Sequence, residues 1–379
     1  MSARSSNGPG IATRVFGSQW FVSVLAVLIA FVIGAILIAL SGASVVDAYY
    51  AMFRGSIVDP NAANAVRMIK PLTDSLFYSI PLIISGLGLA LGFRAGLFNI
   101  GGKGQIIVGA LAAVWVGFSV NLPPVLHTLV ALLVAIVAGG LYGGIAGVLK
   151  AKTGANEVIV TIMLNSIATL GLGYTLAQKA WQVPGTNQPV TPKVAESAAL
   201  ARLLPAPFKL HVGFLVALVA LVAFWWLIER STLGFQIRAV GANAAAARTA
   251  GISVERITAI TMVLSGAFLG LAGANEALGT IGYVSRDVAG SIGFDAITVA
   301  LLGRNKTWGT FGAGLLFGAF KAGGYTMQAK GVPIDMILIL QSVIVLLIAA
   351  PALVRWLFRL PDARALAANT RKGNADEHK

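Results

Sequence analysis

Apolar runs of about 20 residues recur along nearly the whole chain, and this recurrence most constrains the fold. A helix of that length, rising 1.5 Å per residue, crosses the hydrocarbon of a bilayer. Only 11% of the 379 residues are charged, too few to cover the surface of a soluble protein of this size. The sequence therefore predicts an all-α polytopic membrane protein with about ten transmembrane helices. The segments lie at about 20–40, 72–93, 104–120, 125–149, 157–178, 212–228, 257–281, 284–303, 309–325 and 334–354.

The distribution of basic residues predicts the orientation of these helices. Lys and Arg number 28 against 14 Asp and Glu, and most of the basic residues fall in alternate loops, counting from the N-terminal tail. Cytoplasmic loops carry an excess of Lys and Arg, so both termini are predicted to be cytoplasmic. The predicted division is a tail at 1–19, one transmembrane domain at 20–354 and a tail at 355–379. Within the domain, 179–211 forms an external loop and 229–256 a cytoplasmic loop.

The composition also excludes several kinds of site. The chain has no Cys and three widely separated His, which argues against disulfides and against a metal site. No His/Asp, Ser/Lys or metal-type constellation is present, so we expect no catalytic residues and no enzymatic activity. Basic runs interleaved with aromatics are also missing, so the positive charge does not predict nucleic-acid binding.

The stretch FRAGLFNIGGKGQ at 93–105 places glycines and polar residues between two apolar runs. It is not a P-loop, because Leu97 stands at the first-glycine position and Gly104 follows Lys103 where that motif needs Ser or Thr. Glycine-rich backbone at membrane depth is tolerated where protein buries it or where it lines a wet cavity. The stretch VAGSIGFDAITVALLG at 288–303 is similarly interrupted, and paired broken segments indicate a substrate pathway in transporters. The alternative for 94–104 is an ordinary cytoplasmic turn.

Few polar side chains interrupt the apolar segments, and such groups usually face the interior of a helix bundle. For Asn165, the alternative to a role in a substrate pathway is a hydrogen bond between helices. Glu276, near a helix end, could equally be solvated. Amide side chains suit a neutral polar solute, because they bond hydroxyls without the cost of desolvating an ion. The candidates for a substrate pathway are Asn99, Gln105, Asn165, Asn275 and Asp295.

Two short matches suggest an internal repeat. SGLGLALG at 85–92 is similar to SGAFLGLAG at 265–273, and GGIAGVLKA at 143–151 to GLLFGAFKA at 314–322. Small residues spaced by four let membrane helices approach closely, so helix packing alone is one explanation of the two matches. The similar offsets of 180 and 171 positions favour two weakly related halves.

The predicted cytoplasmic loop contains a short helix signal. Asn243 precedes an alanine-rich stretch, which favours a helix, and Gly251 is a natural C-terminal cap. A short basic helix between two spans suits docking into a cytoplasmic partner. A plain amphipathic turn at the membrane surface is the alternative.

Four ordered blocks carry a family likeness over about residues 45–355. They are GFRAGLFNIGGKGQIIVGALAA, KAKTGANEVIVTIMLNSIA, LGFQIRAVGANAAAARTAGIS and GSIGFDAITVALLGRNKTWGTFGAGLLFGAFKAGG. The chain resembles the permease subunits of bacterial ABC importers, in the branched-chain amino-acid and simple-sugar group, and within it the nucleoside-transporting branch most. One departure is Lys103, where relatives often have an acidic or neutral residue.

The resemblance implies a multi-pass subunit of the bacterial cytoplasmic (inner) membrane that imports nucleosides. Its implied partners are a second permease chain (forming a homodimer or heterodimer), cytoplasmic ATPase subunits and an extracytoplasmic substrate-binding protein, within membrane lipid. ATP and Mg²⁺ would bind the ATPase, and no cofactor is expected in this chain. A sugar or branched-chain amino-acid permease is the alternative, and an ion-coupled secondary transporter is the alternative from another class. The family's coupling helix corresponds to residues 241–252, with Gly241, Asn243, Ala247, Gly251 and Ile252 as contacts to the ATPase.

Overall fold

A computed structural model describes residues 19–329 and, beyond them, 331–333, 336, 338–339, 342–343 and 346–347. Residues 1–18 of the predicted tail 1–19, the predicted tail 355–379 and most of the predicted span 334–354 lie outside the described residues. The chain divides into two compact units. One is Met52–Thr326, and the other consists of the described parts of Met1–Ala51 and Met327–Lys379.

The described secondary structure is helical, apart from an isolated bridge between Arg202 and His211. A 3-10 turn at Lys179–Trp181 follows α6, and a π-helix at Glu276–Ile281 continues α10. The α-helices are α1 Gln19–Leu40, α2 Val45–Ser56, α3 Ala65–Arg94, α4 Gly102–Ser119, α5 Pro124–Thr153, α6 Glu157–Ala177, α7 Gly213–Arg230, α8 Thr232–Ala242, α9 Ala244–Thr249, α10 Val254–Asn275, α11 Ile292–Leu302 and α12 Thr307–Gln328.

Six segments of the described chain are long and apolar enough to cross a membrane. They are α3, α4, α5, α6, α7 and Val254–Ile281, which confirms an all-α membrane protein of several spans. The predicted segments 20–40 and 309–325 also form helices, α1 and α12. Ten spans and cytoplasmic termini stay predictions.

The predicted helix over 284–303 is wrong in its extent. Only Ile292–Leu302 is helical, and its 11 residues rise about 16 Å, roughly half the hydrocarbon thickness. Gly282 and Gly290 have φ values of +81° and +42°, so the backbone before α11 turns instead of continuing a helix. The segment is therefore a turn followed by a short helix.

Small residues bring the central helices into backbone contact. Gly139 of α5 faces Gly266 and Gly270 of α10, and Gly109 of α4 also faces Gly270, so closely that a Cβ atom at any of these positions would overlap main chain. Such approaches are typical of packing inside membranes, where small residues stand at helix interfaces. Because of them, α4, α5 and α10 form the densest part of the larger unit.

The connections of the larger unit fall at two ends. One end holds the segments 95–101, 154–156, 231–253 and 303–306, and we call it the Arg94 end. The other holds 120–123, 178–212 and the π-helix with 282–291, and we call it the Glu276 end. The predicted external loop 179–211 is ordered, since its backbone hydrogen-bonds to the main chain of Gly117, Leu278 and Val284.

Candidate functional site

The break between α3 and α4 is partly buried in protein. Ala95, Leu97 and Asn99 are each no more than 5% exposed, whereas Gly96 and Phe98 reach the surface. Gly96 turns the chain with a φ of +72°. Because Asn99 is buried, its polar groups must find partners among the helices around it.

Asn99 uses its whole hydrogen-bonding capacity within this break. Its Nδ2 donates to Gln105 Oε1 at 3.0 Å and to Ser265 Oγ at 2.9 Å. Its Oδ1 accepts from the backbone N–H of Gly101 at 2.9 Å and from Gln105 Nε2 at 3.2 Å. An amide side chain offers two donor hydrogens and two acceptor lone pairs, so none is left for a solute in this conformation.

Asn165 of α6 holds the start of α4. Its Oδ1 accepts from the Gly104 N–H at 2.8 Å, and its Nδ2 donates to the Ile100 carbonyl at 2.8 Å. The first N–H groups of a helix have no partner within the helix, and Gly101, the residue before α4, has no side chain to cap it. A side chain 61 residues away in sequence thus does the work of a local cap.

The other two predicted pathway residues lie outside this hydrogen-bonded cluster. Asn275 is fully buried and donates from Nδ2 to the Gly213 carbonyl at 3.2 Å. Asp295 accepts from Ser291 Oγ at 2.7 Å and pairs with Lys321 Nζ at 3.4 Å. Ser265, which contacts Asn99, and Asn275 are ten residues apart along α10, about 15 Å, so Asn275 lies apart from the amides of the break. Gly293, two residues before Asp295, packs against the backbone of Gly102 and Lys103, so Asp295 follows a contact with the start of α4. Contact of any of the five candidates with a solute stays a prediction.

Several polar groups of the Glu276 end lack partners among the described residues. Asn275 Oδ1, His211 Nε2 and Asp74 Oδ1 are all buried without a hydrogen bond. Burial lowers the pKa of His211 to about 4, so this imidazole is neutral at neutral pH. Its Nδ1 accepts from the Gly213 N–H at 3.1 Å.

The sequence did not identify Lys321, Tyr78 or Tyr325, and Glu276 was named there without being included among the candidates. Lys321 of α12 forms an ion pair with Asp295, Glu276 opens the π-helix, and the rings of Tyr78 and Tyr325 lie 5.3 Å apart. Lys321 had a usable signal, because a lysine inside an apolar segment is costly and seldom without function. The tyrosines had none, since aromatics are common in apolar helices.

The predicted coupling segment begins and ends where the sequence indicates. Asn243 caps α9 by accepting from the Ala246 N–H at 3.0 Å, and Gly251 leaves the helix with a φ of +82°. The Ile252 N–H then closes the turn on the Ala247 carbonyl at 3.0 Å. Between α8 and α9 lies a largely apolar surface groove of about 650 Å³, lined by residues that include Phe235, Ala239, Asn243, Ala246 and Gly251.

This segment touches the break between α3 and α4 directly. Gly241, at the end of α8, packs against the backbone carbonyl of Arg94 so closely that a Cβ atom would overlap it. The Arg94 side chain donates from Nε to the Asn305 carbonyl at 2.7 Å and lies 3.8 Å from the Glu229 carboxylate. Arg94 therefore joins α3 to α7, to the connection after α11 and, through Gly241, to the α8–α9 groove.

These features define a multi-pass helical membrane protein with a partly buried broken segment linked to a surface groove. The chain belongs to the family of branched-chain amino acid transport system permease components, whose model matches residues 72–349. Among the described residues, no group of three or more His, Asp or Glu is arranged to hold a metal ion.

Individual relatives cover nearly the whole chain. It is 39% identical to the guanosine ABC transporter permease protein NupP of Bacillus subtilis, over 89% of this chain and 95% of the relative. It is 31% identical to the nucleoside ABC transporter permease protein NupB of Lactococcus lactis, over 92% and 95%. It is 35% identical to the glucose ABC transporter permease protein TsgB13 of Haloferax volcanii, over 85% of each chain. No solved structure matches significantly.

Proposed function

We propose that this chain is the permease subunit of an ATP-driven importer of nucleosides. The observation that carries the proposal is the 39% identity with a guanosine permease along 95% of that relative, supported by the second nucleoside permease at 31%. The scarcity of charge among the described spans is consistent with a neutral solute. The glucose permease at 35% identity keeps a simple sugar as the second candidate.

Uptake in cells tests the substrate. Cells that lack the chain should lose most of their ATP-dependent uptake of labelled guanosine, and plasmid-borne chain should restore it. Excess unlabelled adenosine or uridine should compete with the label, whereas glucose and leucine should not. Competition by glucose alone would favour the sugar importer, and unchanged guanosine uptake in the deletion strain would contradict the proposal.

The groove between α8 and α9 is the proposed docking site of the cytoplasmic ATPase. Its apolar lining, the short capped helix beside it and the contact of Gly241 with Arg94 support this role. Movement of α9 by the ATPase would be transmitted to α3 through the contact of Gly241 with Arg94. It would thereby displace the break at 95–101. The second permease chain and the extracytoplasmic binding protein belong to the same proposed assembly, in the cytoplasmic membrane of a bacterium.

The proposed orientation can be tested with single cysteines, because the chain has none of its own. Ala246→Cys lies exposed on α9, and Thr186→Cys lies exposed in the 178–212 connection. With a membrane-impermeant maleimide, intact spheroplasts should label Thr186→Cys, whereas Ala246→Cys should react only after permeabilisation. The reverse pattern would place the α8–α9 groove outside the cytoplasm and rule out docking of the ATPase there.

A further inference from the structure

The end of α12 presents a lysine and a tyrosine on one face. Lys321 and Tyr325 are four residues apart, so they lie one above the other on the helix surface. Between them, Ala322, Gly323 and Gly324 are buried, whereas Tyr325 is 48% exposed. The exposed Tyr325 ring lies 5.3 Å from the ring of Tyr78 on α3, at an interplanar angle of 35°. The two helices thus display an aromatic pair with part of one ring open.

Charged groups surround this aromatic pair. Lys321 is bound to Asp295, whose carboxylate also accepts from Ser291. Glu276 lies within hydrogen-bonding reach of Thr280 and within electrostatic range of Lys321. Asp74 is paired with Lys70 through one oxygen only. Asp74 and Glu276 are also close enough to act electrostatically on the Tyr78 hydroxyl.

Packing explains only part of this arrangement. The pairs Asp295–Lys321 and Lys70–Asp74 neutralise each other, as charges within a membrane domain must. Packing does not explain why Tyr325 is exposed, or why Glu276, within electrostatic range of its neighbour Tyr78, has no ion pair within 4.0 Å among the described residues. A partly exposed aromatic ring and a carboxylate without an ion pair are features that a planar, hydroxylated solute can use.

A nucleoside matches both features. Its base has a flat π-face that stacks on aromatic side chains whatever the base, and its ribose carries neighbouring hydroxyls that donate to a carboxylate. Asp295 is already engaged by two donors, whereas Glu276 has no ion pair among the described residues, so we assign the ribose hydroxyls to Glu276. The positive charge of Lys321 offsets the negative charge of the neighbouring carboxylates, so the surface can accommodate a neutral solute.

We propose that the surface formed by Tyr78, Tyr325, Glu276 and Lys321 is where a nucleoside contacts this chain on its way through the membrane. The base stacks on Tyr325, and the ribose hydroxyls donate to Glu276. This assignment rests on the proposed function and adds to it the residues that select the solute. It differs from the sequence-based prediction, whose pathway residues were Asn99, Gln105, Asn165, Asn275 and Asp295.

Uptake kinetics in membrane vesicles that contain the complete importer test the surface. Tyr325→Leu should raise the KM for guanosine about tenfold, whereas Tyr325→Phe, which keeps the ring, should stay within about twofold of the wild type. The matched control is Tyr174→Leu, since Tyr174 is 71% exposed on α6, away from the surface. Glu276→Gln should reduce the preference for guanosine over 2′,3′-dideoxyguanosine.

The outcomes separate this inference from the proposed function. Wild-type uptake of guanosine, with Tyr325→Leu and Tyr174→Leu showing the same KM, would overturn the inference and leave the function standing. Failure of the wild type to take up any nucleoside would overturn both. Loss of the second permease chain from purified Tyr325→Leu, with Tyr325→Phe intact, would also overturn the inference, because Tyr325 would then serve an interface between permeases.

Discussion

Replacing Gly241 with Val should reduce ATP-dependent uptake by more than tenfold. The new side chain would overlap the Arg94 carbonyl, so the end of α8 would separate from the break and the α8–α9 groove would shift. Uptake of labelled guanosine, together with ATP hydrolysis stimulated by loaded binding protein, measures the effect. Stimulation should be lost along with uptake, because both require the displaced contact.

The matched control is Gly173→Val on α6. Gly173 is also a helical glycine, but a Cβ atom there would meet nothing within 4 Å, so uptake should be close to that of the wild type. Thermal unfolding of both purified variants shows whether Gly241→Val is still folded. A folded Gly241→Val protein with normal uptake would contradict the proposed link between groove and break.

Replacing Asn165 with Leu should cause the largest loss of stability among the sites described. The substitution leaves the Gly104 N–H and the Ile100 carbonyl buried without their partner. Each of these two orphaned groups costs about 1–3 kcal/mol, so the free energy of unfolding should fall by about 2–6 kcal/mol. Thermal unfolding of the chain in detergent measures this loss.

Two further variants sharpen the result for Asn165. Asn165→Asp keeps an acceptor for Gly104 but loses the donor to Ile100, so its stability should fall between those of the wild type and Asn165→Leu. Ser166→Ala changes the neighbouring exposed residue and should have little effect. An Asn165→Leu protein of normal stability with a raised KM for guanosine would instead identify Asn165 as a solute contact.

The sequence predicted those features that depend on local chemistry. Helix α9 begins at Asn243 and ends before Gly251 because side-chain capping and a left-handed glycine act within a few residues. The break near Asn99 was predictable from its glycines in an apolar setting. The glycines of 288–303 also indicated an interrupted segment, but the bounds 284–303 were set by hydropathy alone, so the predicted helix was about twice the length of Ile292–Leu302.

The sequence could not predict which distant residues hydrogen-bond to each other in the folded chain. Asn165 and Gly104 are 61 residues apart, and Asn99 meets Ser265 across 166. Only the packing of α4, α6 and α10 brings these groups together. Lys321 and Asp295 similarly come from two helices that approach through the fold, so this ion pair could not be predicted from spacing alone.

Transport by reconstituted protein tests the central claim most directly. Proteoliposomes would contain this chain with its partner permease and ATPase, and the binding protein and labelled guanosine would be supplied outside. The account predicts that guanosine accumulates only when ATP is present on the ATPase side, and that this chain alone, under an imposed proton or sodium gradient, accumulates none. Gradient-driven accumulation by the chain alone without ATP would contradict it and identify a secondary transporter.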